Sequence, residues 1–435
     1  MSDKLHPGPG LPASDVAAHQ SARIHRAMIE IVAEQGYEAV KVRELVHLAG
    51  VSTRAFYEHF ESKESCFLQT YDLVTRRASR RIIASQVGER DWRKRPRLIF
   101  DAFVRELEDN PAAARFTLVA AYAAGPVALE QARKTEATFE AMLAQSFARA
   151  PGGIVVPQLV VEGMMAGVAR VTRARLLSGR DVELARLDEE MTDWVLSYPG
   201  KPAGKLADLD LQLVWRDTRL QPLVVPSGSG EGEAWPKTGD RALILTSLTS
   251  LTSLTASGSY GDLTVERIRR GAGVSRAVFK SYFDGVEDCF VAALEQRAGE
   301  AFAQAARAQT AGRTWSGGLY RAISALCDQI SEDPLLISVC LADDFKPDSS
   351  GSRIRAQLLT VVAEQLADSA PRADQPSTLV AEASSGAIWA LFHRHVVRAL
   401  AHSAPQVAAT LAFMALAPVI GAPAAVAAIA AEQAE

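Results

Sequence analysis

At 435 residues the chain is too long for one compact core, so two or more domains are expected. With 48% hydrophobic residues it can fold without covalent staples, and a formal net charge of −4 excludes an overall basic signature, so any nucleic-acid contact must rest on a local patch. Four cysteines, Cys66, Cys289, Cys327 and Cys340, form no CxxC pair and have no histidine partner at zinc spacing, which implies neither a metal site nor a disulfide framework.

The opening residues, MSDKLHPGPGLPASD, lack the apolar core of a signal peptide, and residues 1–20 are expected to form a disordered lead-in. The run IHRAMIEIVAEQGY then places Ile24, Ala27, Met28, Ile31 and Val32 on one helical stripe ended by Gly36. VKVRELVHLAGVSTRAFYEHF divides into two short helices around a turn. On the first, Val42, Leu45, Val46 and Ala49 face inward; Gly50 is free to take the positive φ that ends it, and Ser52 is placed to cap the second. Phe56 and Phe60, four apart, anchor the second helix. Its remaining face carries Thr53, Arg54, Tyr57 and His59, all able to reach bases or phosphates, which is the build of a helix-turn-helix. The plainer alternative is a helical hairpin with a polar solvent face.

Further on, RDWRKRPR (90–97) is basic and reads as a solvated helix start ahead of a nucleic-acid contact. RPRLIFDAFVRELEDNP repeats the helical period with Leu98, Phe103, Val104 and Leu107, stopped by Pro111. Phe139, Met142, Met164 and Met165 are able to line a pocket, although apolar helix residues are more often core. Residues 198–240, rich in Pro, Gly and Ser with no sustained apolar period, read as a linker; a flexible chain of this size spans on the order of 35 Å.

Beyond the linker the sequence returns to its beginning. AGVSTRAFYEHF (49–60) is echoed by AGVSRAVFKSYF (272–283), identical at six of twelve positions and offset by 272 − 49 = 223 residues. At the same offset Tyr37 matches Tyr260, Val42 matches Val265, Cys66 and Phe67 match Cys289 and Phe290, Trp92 matches Trp315, and Pro111 matches Pro334. Collinear matches over this distance imply an internal duplication, with Cys66 and Cys289 as equivalent buried packing positions. The second copy opens on a period-three Leu-Thr-Ser repeat, RALILTSLTSLTSLTASGSY. A triplet insertion there would rotate one end of the helix by about 60°, since three residues turn ~300°. The histidines of LFHRHVV, His393 and His395, are two apart and do not share a helix face, which discounts a metal pair. The tail FMALAPVIGAPAAVAAIAA is apolar but cut by Pro418, Gly421 and Pro423, so a last helix with a frayed end is expected in place of a membrane span. Alternating strand patterns are nearly absent, and the fold class is all-α.

From Arg23 to Phe67 the chain resembles the TetR (TetR/AcrR) family of bacterial transcriptional regulators, in AGVS followed by FYEHFESKES and preceded by a helix ending in Gly-Tyr. NPAAARFTLVAAYAAGPVALE (110–130) is similar to the family's helical body, and the second half shows a weaker version of both. The resemblance implies two units, each a three-helix head and a helical-bundle body with an apolar ligand cavity. The heads fall at 21–68 and 241–291, the bodies at 69–197 and 292–435. Because family members are homodimers of chains about half this length, the halves are expected to pair as an intrachain pseudo-dimer, leaving further oligomerisation open. By the resemblance Thr53 and Arg54 touch base edges, whereas Tyr57, His59 and Lys63, the last starting a helix behind Ser62, touch phosphates; Lys41 and Ser52 complete the set. Two departures stand out. Arg54 replaces the family's small residue, and Val40 replaces a threonine, which removes a helix cap and a phosphate contact.

In the second head the scaffold residues Ala272, Gly273, Val274, Ser275, Phe279 and Phe283 recur, but the reading face changes to Ser275, Arg276, Lys280 and Tyr282. Val286 stands where Lys63 was, followed by Glu287 and Asp288, while Arg267, Arg269 and Arg270 add positive charge on the preceding helix. The second head is therefore either a differently tuned reader or a degenerate one kept for packing. The expected partners are a double-stranded DNA operator, asymmetric because the two faces differ, and a small-molecule effector, with no cofactor, no metal and no membrane, in the cytoplasm. No nucleotide loop, GxSxG or paired HExxH supports an enzyme. A helical interaction scaffold is the remaining alternative.

Overall fold

The computed structural model describes residues 13–151, 156–178, 187–199, 239–253, 263–333, 336, 350–371, 375–397 and 404–434. These form helices and the turns between them, with no strand among the described residues. They divide into two compact units, one within 1–150 and 168–196, the other within 151–167 and 197–435. Most of the expected linker, 200–238, and Cys340 lie outside the described residues.

The first unit opens on α1 (Ala13–Gln35). Its predicted stripe is the core: Ile24, Ala27, Met28, Ile31 and Val32 are all buried, and Gly36 follows the helix with its N–H on the Val32 carbonyl at 3.0 Å. The helix starts earlier than expected, so residues 13–20 are helical and not part of a lead-in; an alanine-rich start with Asp15 in the first turn favours this, and Val16 is buried. Then come α2 (Val42–Ala49), α3 (Thr53–His59), α4 (Lys63–Ser85) and α5 (Lys94–Asp109). On α5, Val104 and Leu107 are buried as expected and Leu98 and Phe103 half-buried, while Ile99 and Phe100 go deeper than either.

The basic tract ahead of α5 is not simply a solvated helix start. Arg95 is 5% exposed, its guanidinium donating to the Ser146 hydroxyl (3.4 Å) and the Glu89 carbonyl (3.2 Å), and Arg93 lies over the buried Trp92 ring at 4.4 Å. Pro111 starts α6 (Pro111–Arg115), which passes through a π-helical turn (Phe116–Ala120) into α7 (Ala121–Ala123) and α8 (Pro126–Phe147). The π turn sets Phe116 against Phe67, ring centroids 4.7 Å apart, joining the head to the body in one core. The C-terminal part of α9 (Gln158–Ser178) and α10 (Leu187–Leu196) complete this unit.

The second unit contains α11 (Asp240–Ser253), α12 (Val265–Ala272), α13 (Arg276–Tyr282), α14 (Val286–Thr310) and α15 (Trp315–Glu332). It continues with α16 (Ser350–Ser369), α17 (Thr378–Val397), α18 (Ala404–Ile420) and α19 (Ala422–Gln433). The tail does not fray as expected: α19 buries Ala422, Ala425, Val426 and Ile429, and Glu432 pairs with Arg321 of α15. The start of α9 belongs to this unit as well; Gly163 leaves room for Leu391 of α17 and Met414 of α18. Tyr198, fully buried, donates its hydroxyl to the Met414 carbonyl at 2.9 Å. Among the described residues no single helix is long and apolar enough to cross a membrane.

Candidate nucleic-acid interface

Two short helices are held at a fixed turn by backbone chemistry that the sequence specifies locally. Gly50 has φ 62°, ending α2 in the left-handed conformation, and the Val51 N–H returns to the Val46 carbonyl at 3.0 Å. Ser52 is extended, and its hydroxyl accepts from the Ala55 N–H at 3.1 Å, capping α3. Phe56 and Phe60 are buried with centroids 5.6 Å apart, fixing which face of α3 looks inward. Arg23 of α1 donates to the Gly50 carbonyl at 2.8 Å, tying the turn to the first helix.

The outward face is what remains. Thr53, Arg54 and Tyr57 are exposed together on α3, Tyr57 by 56% although it is a large aromatic. Arg54 pairs with Glu58 one turn on (Nε to Oε1, 3.0 Å) in an exposed geometry worth little and readily exchanged. Lys41 is exposed beside Glu44, 3.9 Å away. Ser52 is exposed as well, whereas His59 and Lys63 are half-buried. His59 shares a hydrogen bond with Gln20 at 3.4 Å. Lys63 donates to the Tyr37 carbonyl at 3.2 Å and sits 4.3 Å from the Tyr37 ring centroid, so its charge is anchored at the start of α4, behind the Ser62 cap, and does not swing free. The helix cap expected to be missing at Val40 is missing one residue later: Lys41 is the N-cap of α2 and makes no side-chain cap bond, whereas Val40 is 3% exposed and belongs to the core. Behind the face, His25 bonds Thr70 at 2.7 Å, and burial, with a smaller push from His59, holds its imidazole below the usual 6.5.

At the equivalent positions of the second unit the same devices recur. Gly273 has φ 70°, Ser275 caps α13 by accepting from Val278 N–H (3.2 Å), and Phe279 and Phe283 are buried 5.8 Å apart. Thr264, at the place of Lys41, does cap its helix, accepting from the Arg267 N–H. Cys66 and Cys289 are both fully buried, and burial pushes each thiol up to about 12.

The outward groups differ. Arg276 and Tyr282 are exposed, but Lys280 donates to the Asp284 carbonyl, and Arg269 and Arg270 both bind Glu266, whose carboxyl they hold below its usual value. Glu287 and Asp288 occupy the first turn of α14. The Leu-Thr-Ser repeat continues α11 as helix, burying Leu245 and Leu248, while residues 254–262 lie outside the described residues. Ser247 of the repeat donates to the Ile268 carbonyl at 2.7 Å and presses on Gly271, where a Cβ would meet its hydroxyl at 2.3 Å. The matching residue of the first head, Leu48, is 51% exposed, so the first two helices of the two heads pack differently.

Residues 24–70 match the family described as "Bacterial regulatory proteins, tetR family", N-terminal domain. No curated protein matches the chain. Among solved structures, the fatty acid degradation regulator FadR from Bacillus halodurans is similar over 44% of this chain and 97% of its own, at 14% identity and a TM-score of 0.38. The transcriptional regulator FadR from Bacillus subtilis, in complex with stearoyl-CoA, covers 40% and 97% at 15% identity and a TM-score of 0.36. A TetR family transcription regulator from Marinobacter aquaeolei VT8 covers 41% and 97% at 20% identity and a TM-score of 0.35.

Proposed function

We propose that this chain, whose residues 24–70 form a TetR-family N-terminal domain, is a DNA-binding transcriptional regulator, a repressor whose hold on its operator is modulated by a small apolar ligand in a helical body. The observation that carries this reading is the exposed cluster of Thr53, Arg54 and Tyr57 on a helix whose start is fixed by the Gly50 turn and the Ser52 cap. A recognition helix presents its first residues to the major groove; an arginine there addresses guanine through two hydrogen bonds, and a tyrosine hydroxyl reaches phosphate. Lys41, His59 and the anchored Lys63 serve as further phosphate contacts.

The reading extends to two TetR-like units in tandem whose bodies pair as the halves of a dimer. Support comes from the matched turns, caps and phenylalanines of the two heads, and from the second unit, where Tyr198 and the start of α9, both from the first half of the sequence, pack on α17 and α18. Since Arg276 and Lys280 replace Thr53 and Tyr57, the operator is asymmetric, and the protein acts in the cytoplasm where that operator lies.

Equilibrium binding to an operator selected with the full chain tests the proposal. Arg54→Ala with Tyr57→Phe weakens specific binding by about 1–3 kcal/mol, roughly 5- to 150-fold, through the lost base and phosphate contacts. Unchanged affinity and salt dependence in that variant would remove DNA reading from α3.

A further inference from the structure

The body of the second unit encloses a cavity of about 400 Å³ between α14, α15, α16 and α17, whereas the body of the first encloses one of about 70 Å³ beneath α4 and α5. The two occupy equivalent places. At the 223-residue offset that relates the heads, Ala78, Phe103, Leu107 and Ala113 around the small cavity correspond to Ala301, Leu326, Ile330 and Leu336 around the large one. What differs is the filling. In the first body Ile82, Ile99 and Phe103 pack together with Met142; their counterparts are Ala305, Ala322 and Leu326. These three exchanges remove nine carbon atoms and Ala113 to Leu336 returns three, so on balance the second cavity has less side chain to fill it.

The chemistry of the large cavity is equally one-sided. None of its described lining residues is charged. Its hydroxyls are engaged: Ser385 donates to the Glu382 carbonyl (2.9 Å), and Ser369 accepts from the Trp315 indole N–H (3.2 Å). Gln309 and Gln365 supply neutral amides, the second at an opening between α14 and α16 where Ala303, Ala306 and Val361 are also exposed. A carboxylate or ammonium drawn into this space would lose its hydration with no counter-charge among the described lining residues to replace it, whereas an apolar molecule loses only its exposed surface. A void of this size in an otherwise close-packed body is costly unless something fills it.

Resting on the regulatory reading above, we infer that the second body alone holds the effector, that this is an uncharged, largely apolar molecule, and that Ile82, Ile99 and Phe103 have closed the equivalent site in the first. The two halves thus divide the work, the first reading DNA and the second sensing the ligand.

The test uses the full chain with no DNA present: N-phenyl-1-naphthylamine as fluorescent reporter, displaced by decan-1-ol, decanoate or decylammonium at pH 8, with decan-1-ol stoichiometry from calorimetry. Expected are one decan-1-ol per chain and at least about tenfold weaker displacement by both charged analogues. Ala305→Ile with Ala322→Ile, which install side chains that the first half carries at the same places, abolishes displacement; Ile82→Ala with Ile99→Ala adds a second decan-1-ol site. Displacement by decanoate equal to that by decan-1-ol, two sites in the parent chain, or no decan-1-ol binding would each overturn the inference. If the filled variant does not fold, as judged by circular dichroism, the analogue comparison and the stoichiometry of the parent still decide. Operator affinity, measured separately without decan-1-ol, reports on the DNA-reading proposal, so the two fail independently.

Discussion

Lys41→Thr is expected to strengthen the fold and weaken DNA binding at once. Lys41 and Thr264 occupy equivalent N-cap positions with nearly the same backbone, φ −108° and ψ 135° against φ −123° and ψ 150°, yet only the threonine caps its helix. A threonine at the first position therefore meets no new strain, and its hydroxyl can accept from the Glu44 N–H, which now bonds the Lys41 carbonyl at 3.0 Å. A cap of this kind contributes about 1 kcal/mol. Against it stands the lost Lys41–Glu44 pair, exposed and 3.9 Å long, worth about 0.3 kcal/mol. The net gain of roughly 0.5–1 kcal/mol raises the melting temperature of a unit this size by about 1–4 °C. If Lys41 meets a phosphate as proposed, the same variant lowers the slope of log affinity against log salt by about 0.9. Differential scanning calorimetry and fluorescence anisotropy on one preparation read both quantities. A melting temperature at or below that of the parent would refute the cap argument, and an unchanged salt slope would remove Lys41 from the interface.

Two further outcomes follow from the same head. Gly50→Ala puts a Cβ on a residue at φ 62°; the left-handed conformation costs about 1–2 kcal/mol, which urea unfolding will record, and operator affinity falls because the turn that aims α3 is strained. The His25 imidazole titrates below 6.5 in the folded chain. The unfolded chain therefore takes up a proton first as pH falls, and the stability this group contributes is complete above pH 6.5 and is lost on acidification through its folded value. His25→Gln should flatten that part of the stability profile; an unaltered profile would assign it to other groups.

Much of the first head was legible because its devices are local. The period of Ile24 to Val32, the Gly50 turn, the Ser52 and Ser62 caps and the Phe56–Phe60 anchor depend on spacings of four residues or fewer, and each is found where expected. The readings that shifted depend on contacts distant in sequence. Lys63 starts α4 as expected but is held there by Tyr37, 26 residues earlier. Arg95 looked solvated, but Ser146, 51 residues on, helps bury it. Val40 and Lys41 are adjacent, and one-residue precision in a cap needs backbone angles. The large cavity was invisible for a different reason: Ala305 on α14 and Ala322 on α15 gain meaning only beside Ile82 and Ile99. Neither Met164 nor Met165 lines either cavity, and Phe139 lines only the small one.

The most direct test of DNA reading by α3 is selection from a random duplex pool with the full chain and, in parallel, with Arg54→Ala. The parent chain should enrich an asymmetric motif with a guanine preference in one half, and the variant should lose that preference while keeping the other half. Enrichment of the same motif by both proteins, or of none by the parent, would contradict the account.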